Sequence, residues 1–173
     1  MKELIIATNN LNKFSEIKSL LEPLGVRCLS LADVGYKEEI IEDGETFFDN
    51  AFIKAMTIAN NYHMPALGDD SGIIVESLPE ELGVRSKRFS EEGTHLANNL
   101  LLLEKLKDKS NRKAHFVSWV VLYLPSGTYY SYQGQVHGKI AEDFKGDNGF
   151  GYDPLFIVDG MGVRMAELSE SEK

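Results

Sequence analysis

Only one cysteine, Cys28, stands in 173 residues. That excludes an internal disulfide, leaves packing to hold the fold and suits a reducing compartment, so the cytoplasm is the expected location. No run approaches the roughly eighteen consecutive apolar residues of a membrane helix, and no membrane partner is expected. The start, Met1 to Ala7, is too short and too soon interrupted for a signal peptide. Basic residues are scarce beside acidic ones: 18 Lys+Arg against 27 Asp+Glu give a formal net charge of -9. Such a surface repels a polynucleotide backbone, which argues against nucleic acid as a partner, while a small anion held by a few placed lysines and a metal remains compatible. Repeats, low-complexity tracts and linkers are also missing, and 43% hydrophobic content supports a single domain over residues 1–173.

The most informative feature present is an acid pair. Asp69 and Asp70 sit between an apolar run, Met64 to Leu67, and a β-branched one, Ile73 to Val75, with Ser71 and Gly72 expected to make a turn. At about 4 Å and an effective dielectric of about 20, two full charges cost on the order of 4 kcal/mol, so a cation is expected nearby. Successive side chains on a strand face opposite ways; one acid would face a site and the other support it, unless the turn re-aims one. Taken alone, the segment reads equally well as an Asx turn whose acids cap the N–H groups of a hairpin.

Leu4 to Ala7 reads as a buried strand, followed by helical spacing of Phe14, Ile17, Leu20 and Leu21 that closes at Pro23 to Gly25. The loop between them, Thr8 to Lys13, offers N–H groups and a lysine to an anion at a helix start, or is an ordinary connection; it lacks the glycines of a P-loop. Thr46 and Asp49 form a capping-box pair for a helix to about Asn61, on which Thr46, Asn50 and Lys54 make a polar stripe, by default a solvated one. Glu42, just before it, is either a loop acid or a metal ligand. Thr94 starts a helix whose Leu96, Leu100, Leu101, Leu103 and Leu106 are expected in the core. Phe116 to Leu124 and Thr128 to Val136 form a hairpin about Pro125-Ser126-Gly127. In the Gly146 to Pro154 segment, Phe150 or Tyr152 stacks on a flat ligand or plugs a turn. One β-loop-α start with later hairpins predicts an α/β protein with a mixed sheet.

In this order, Thr8 to Lys13, Glu42 with Thr46-Phe47 and Asn50-Ala51, Asp69-Asp70-Ser71-Gly72 and Phe150-Gly151-Tyr152-Asp153-Pro154 resemble the inosine triphosphate pyrophosphatase family, the XTP/dITP diphosphatases. Met165-Ala166-Glu167-Leu168-Ser169 extends the match over nearly the whole chain. The resemblance implies a two-lobed α/β fold, with a long mixed sheet flanked by helices and a central cleft. It also implies a homodimer and magnesium-dependent hydrolysis of ITP, dITP and XTP to the monophosphate and pyrophosphate. It places the triphosphate loop on Thr8, Asn9, Asn10, Leu11, Asn12 and Lys13, and the magnesium ligands on Glu42 and Asp70. The general base also falls on Asp70, a substrate contact on Ser71 and a further site lysine on Lys54. The purine-receiving segment falls on Phe150, Gly151, Tyr152 and Asp153, and a last site lysine on Lys173. Such residues suit the reaction: cations neutralise the phosphate tail as charge moves onto the leaving pyrophosphate, and a carboxylate takes the proton of the attacking water.

Two departures stand against the family pattern. The family continues past the lysine matched by Lys173 into a Ser-His-Arg motif and a closing helix, which are therefore expected to be missing; Ser169 and Glu172 form a capping box for a helix too short to nucleate. Leu82 to Phe89 stands where the family has Pro-Gly and an aromatic before the serine, and Arg85 and Lys87 are expected to change local loop or dimer contacts. Two other readings remain: a nucleotide-binding remnant with impaired catalysis, and a septum-inhibitor-type pyrophosphatase acting on pyrimidine or modified nucleotides.

Overall fold

The computed structural model describes residues 2–173; Met1, where the signal-peptide argument begins, lies outside them. In chain order the elements are β1 (Lys2–Ile6), α1 (Leu11–Leu21), β2 (Val26–Leu29), α2 (Phe47–Tyr62), β3 (Ala66–Val75), α3 (His95–Leu106), β4 (Lys113–Tyr123), β5 (Tyr129–Ile140) and β6 (Phe156–Val158). The strands make a six-stranded mixed sheet in the order β2-β1-β3-β4-β5-β6, flanked by the helices, as the α/β reading expects. β1 runs parallel to β2 and β3, and β5 antiparallel to β6. No helix among the described residues is long and apolar enough to cross a membrane.

The chain divides into two compact units that share the long strands. The first runs to Asp70 and takes up Ser118–Gln133; the second comprises Ser71–Val117 and Gly134–Lys173.

In the first unit, Ile5, Ala7, Leu31, Ile58, Ala59 and Ala66 form one buried cluster, and Ala51, Ala55 and Val121 another, onto which Phe48, Phe52 and Trp119 pack. The connection after β1 is shorter than expected. Asn10 caps α1 by accepting from the backbone N–H of Asn12 (3.0 Å) and Lys13 (3.3 Å), so Leu11, Asn12 and Lys13 belong to the first helical turn rather than to a loop. Thr46 caps α2 through the reciprocal bond with Asp49, as its spacing predicts.

The expected turn at Ser71-Gly72 is not there. β3 runs unbroken from Ala66 to Val75, and the acid pair lies inside it. Ser71 and Gly72 continue the extended backbone because strand pairing outweighs their local turn preference. The hairpin alternative for this segment falls with the turn. Gly68 owes its place to crowding: a Cβ there would overlap the Ala51 carbonyl oxygen and the Ala55 nitrogen of α2, so the helix lies directly on the strand's backbone.

In the second unit, Ile73, Val75, Leu102, Leu106, Ile140, Leu155 and Phe156 centre the core. Leu102 and Leu106 are fully buried, whereas Leu96 and Leu100, expected inside, are 62% and 51% exposed. The inward face of α3 is set one step further round, by Asn98 and Asn99, whose amides find partners that leucines could not supply. Arg112 ties this core together, its guanidinium donating to the carbonyls of Leu106, Ile140 and Ala141.

Gly68→Ala is expected to lower unfolding stability by about 3 kcal/mol, because backbone, not a flexible side chain, must yield. Urea denaturation measures it, and a loss below about 0.5 kcal/mol would refute the close packing of α2 on β3.

Candidate active site

Alternation along β3 decides what the two acids do. Asp69 is 5% exposed, and its Oδ2 lies 2.6 Å from Lys13 Nζ on the first turn of α1. Its Oδ1 is buried with no hydrogen-bond partner. Asp69 is therefore the supporting acid, and it holds a lysine at the helix start. Asp70, on the opposite face, accepts at Oδ2 from Asn50 Nδ2 at 3.1 Å. Burial pushes its carboxyl above the ordinary range, and Glu42 adds to the rise, against the lowering by Lys54, the Asn50 hydrogen bond and Lys13.

The polar stripe of α2 is not solvated. Asn50 and Lys54 are 5% and 7% exposed, and they line the acid pair's surroundings. Lys54 Nζ lies 3.1 Å from Glu42 Oε2, while Asn50 bridges from Asp70 to the Gly44 N–H, which donates to Asn50 Oδ1 at 2.9 Å. Asn50 was not among the expected site residues. Its place at four-residue intervals between Thr46 and Lys54 was the available signal, since those intervals share one helix face.

At the start of α1, Thr8 Oγ1 accepts from the Asn10 N–H at 3.1 Å, and the Thr8 N–H donates to Ile6. Asn10's amide oxygen thus occupies the acceptor place that an anion would take at this helix start. Asn9, Leu11 and Asn12 are exposed. Thr8 to Lys13, Glu42, Lys54 and Asp70 all belong to the first unit.

The remaining expected residues, Ser71, Phe150 to Asp153 and Lys173, lie in the second unit. Tyr152 is a core residue, 6% exposed, its hydroxyl donating to the Ser86 carbonyl at 2.6 Å. Burial drives its phenol far above the usual range. Of the two aromatics, Phe150 alone keeps a partly accessible ring. Asp153 Oδ2 accepts from Lys173 Nζ at 2.8 Å and from the Phe150 N–H at 3.3 Å. Its carboxyl is raised by burial, against the lowering by Lys173, Phe150 and His95. Gly149 sits where a Cβ would collide with the Asp153–Lys173 pair.

Among the described residues no three His, Cys, Asp or Glu side chains converge as a metal cluster. The donor set nevertheless fits magnesium. That ion is commonly held by one or two carboxylates with substrate phosphates and water completing the shell, and Glu42 and Asp70 are two hard oxygen donors that sense each other's charge.

Lysines held by acids, a half-buried carboxylate and a capped helix start thus share the first unit of an α/β protein. The Ham1 family model matches residues 4–173, and the chain belongs to that family. It is 44% identical to a dITP/XTP pyrophosphatase of Bacillus licheniformis, covering 100% of this chain and 90% of that protein. A dITP/XTP pyrophosphatase of Bacillus subtilis is 42% identical, covering 100% and 89%. A solved Ham1 protein of Staphylococcus aureus is similar with a TM-score of 0.88 at 34% identity, covering 99% of this chain and 89% of that one. A HAM1 protein of Coxiella burnetii gives 0.89 at 34%, with the same coverage.

Two stability measurements test this geometry. Lys13→Met leaves the Asp69 carboxylate buried and unpaired, and is expected to cost on the order of 3 kcal/mol in urea denaturation. Replacing Asp69 by leucine in the same chain should return part of that loss; a single variant as stable as the native chain would refute the buried pair. Asp70→Asn should behave oppositely. A carboxyl raised on folding contributes fully below its unfolded pKa and loses that contribution as pH rises through the folded value. Without added divalent cation, the asparagine variant should match the native chain in acid and melt at or above it at neutral pH. A variant that melts lower than the native chain at neutral pH would refute the burial cost at Asp70.

Proposed function

We propose that this chain is an enzyme that hydrolyses non-standard purine nucleoside triphosphates, ITP, dITP and XTP, to the monophosphate and pyrophosphate. The division of labour between Asp69 and Asp70 carries the reading, because it leaves one half-buried carboxylate as a proton acceptor in the unit that also holds two lysines, the cations a triphosphate tail needs. The names of the relatives at 42–44% identity support the substrate class.

Lys13 and Lys54 neutralise the phosphates, with the α1 start taking phosphate oxygens in place of Asn10's amide. Asp70 accepts the proton of the attacking water, while Asn50 fixes the carboxylate's orientation and burial keeps it a good proton acceptor. Ser71, next on β3, contacts the substrate. Phe150 stacks on the purine; Asp153 and Lys173 hold its segment. Glu42 and Asp70 would hold magnesium, which when bound adds positive charge against the departing pyrophosphate.

The enzyme acts in the cytoplasm as a homodimer. Tyr130, Tyr132 and Val136 are 50%, 71% and 38% exposed at alternating positions on one face of β5, an apolar strand face that a second copy would cover. Sedimentation equilibrium yielding a monomer at micromolar concentration would overturn the dimer.

With magnesium, dITP and XTP are expected to release pyrophosphate far faster than dATP, dTTP or UTP. Asp70→Asn should lower that rate at least about a hundredfold. Turnover retained in the variant overturns the role of Asp70. Preference for the pyrimidines overturns the substrate class, and dITP binding in calorimetry without turnover overturns the enzymatic reading.

A further inference from the structure

The first turn of α3 carries a pair of side chains, His95 and Asn99, that the proposed reaction does not use. Asn99 is 2% exposed, and its Nδ2 donates to the Gly151 carbonyl at 2.8 Å and to the His95 carbonyl at 2.7 Å. Its Oδ1 is buried with no partner. Two carbonyls facing one nitrogen fix the amide's orientation, since the flipped form would set oxygen against oxygen. A leucine in this position would fill the space without burying an unpartnered side-chain oxygen, as Leu102 does further along the same helix, but it would take the donor from the Gly151 carbonyl. The asparagine is therefore kept for what it holds.

It holds one end of a clamp. His95, four residues earlier on the same helix face, accepts the Gly151 N–H at Nδ1 (3.4 Å), and its ring lies 6.3 Å from that of Phe150 at an interplanar angle of 36°. Both backbone polar groups of Gly151 are thus taken by one turn of helix. Gly151 has φ +63 with open space around a would-be Cβ, so it is a glycine for its left-handed backbone and not for crowding. Gly149, two residues before, is also left-handed, at φ +82. A segment with so much conformational freedom presents a ring in one place only if something outside the segment fixes its peptides. On the near side, the Phe150 N–H donates to Asp153 Oδ2; on the far side, His95 and Asn99 hold Gly151.

We propose that His95 and Asn99 are positioning residues for purine recognition, which set the Phe150 ring by fixing the peptide groups of Gly151. This rests on the proposed function, in which Phe150 stacks on the base. Losing the clamp should weaken capture of the nucleotide through its base and leave handling of the phosphates as it was.

The test is steady-state kinetics with dITP, beside competitive inhibition by inorganic triphosphate, which has phosphates and no base. Asn99→Leu and the isosteric Asn99→Asp, which lacks the donor, should each raise KM for dITP about fivefold or more, with kcat within about twofold and the inhibition constant of triphosphate unmoved. His95 is exposed, so its variants test the clamp even if an Asn99 variant unfolds. His95→Phe keeps a ring and loses the acceptor, and should raise KM; His95→Asn restores an acceptor in place of Nδ1 and should return KM toward the native value. An unchanged KM in His95→Phe overturns the inference. So does a triphosphate inhibition constant that rises in step with KM, because that marks damage to the whole site. A native chain that releases no pyrophosphate from dITP overturns the proposed function, and this inference with it.

Discussion

Two carboxylates at consecutive positions inside a strand are tolerable only if each is compensated separately, and that constraint organises the first unit. Pleating sends Asp69 and Asp70 to opposite faces. A buried Asp69 without a cation would cost several kcal/mol, so Lys13 must be delivered to it, and a helix starting at Leu11 does so. Asp70 accepts an amide hydrogen bond from Asn50 and feels the charges of Lys54 and Lys13, and its carboxyl is nevertheless raised by burial. The unequal treatment separates an acid neutralised by a lysine from an acid whose carboxyl burial raises.

The approach of α2 to β3 supplies the rest. Because Gly68 has no side chain, the helix backbone at Ala51 and Ala55 can lie against the strand. That closeness brings two polar residues of the helix, Asn50 and Lys54, into burial beside the acids. Burial in turn gives their interactions a strength that a solvated stripe would lack. One cause serves both packing and polar burial here, since the glycine that admits the helix also admits Lys54.

The second unit solves a different problem, which is to hold a glycine-rich segment still. Tyr152 anchors it in the core through Ser86, Asp153 and Lys173 brace its carboxylate side, and α3 takes the peptide at Gly151. The aromatic in the Tyr152 position is thereby committed to the fold, and Phe150, two residues before it, is only half-buried. Rigidity of this kind lowers the ordering cost of binding a flat ligand.

Much was legible in the residue order. The capping box at Thr46 and Asp49, the α/β alternation, the hairpin that became β4 and β5, and the motifs that mark the Ham1 family are local patterns, and local patterns survive in a sequence. Three features were not legible. The extension of β3 through Ser71-Gly72 depends on neighbouring strands, which outweigh a turn preference. The burial of Asn50 and Lys54 depends on how near α2 comes to β3, and the inward face of α3 depends on carbonyls from Ser86 to Gly151 that its asparagines meet. By itself the sequence determined which chemistry was on offer, because the acids, lysines and glycines and their spacing are properties of the chain. Which acid is neutralised, which aromatic is left half-buried and which amide does the holding were decided only in three dimensions, because burial and partner geometry belong to contacts between segments far apart in the chain.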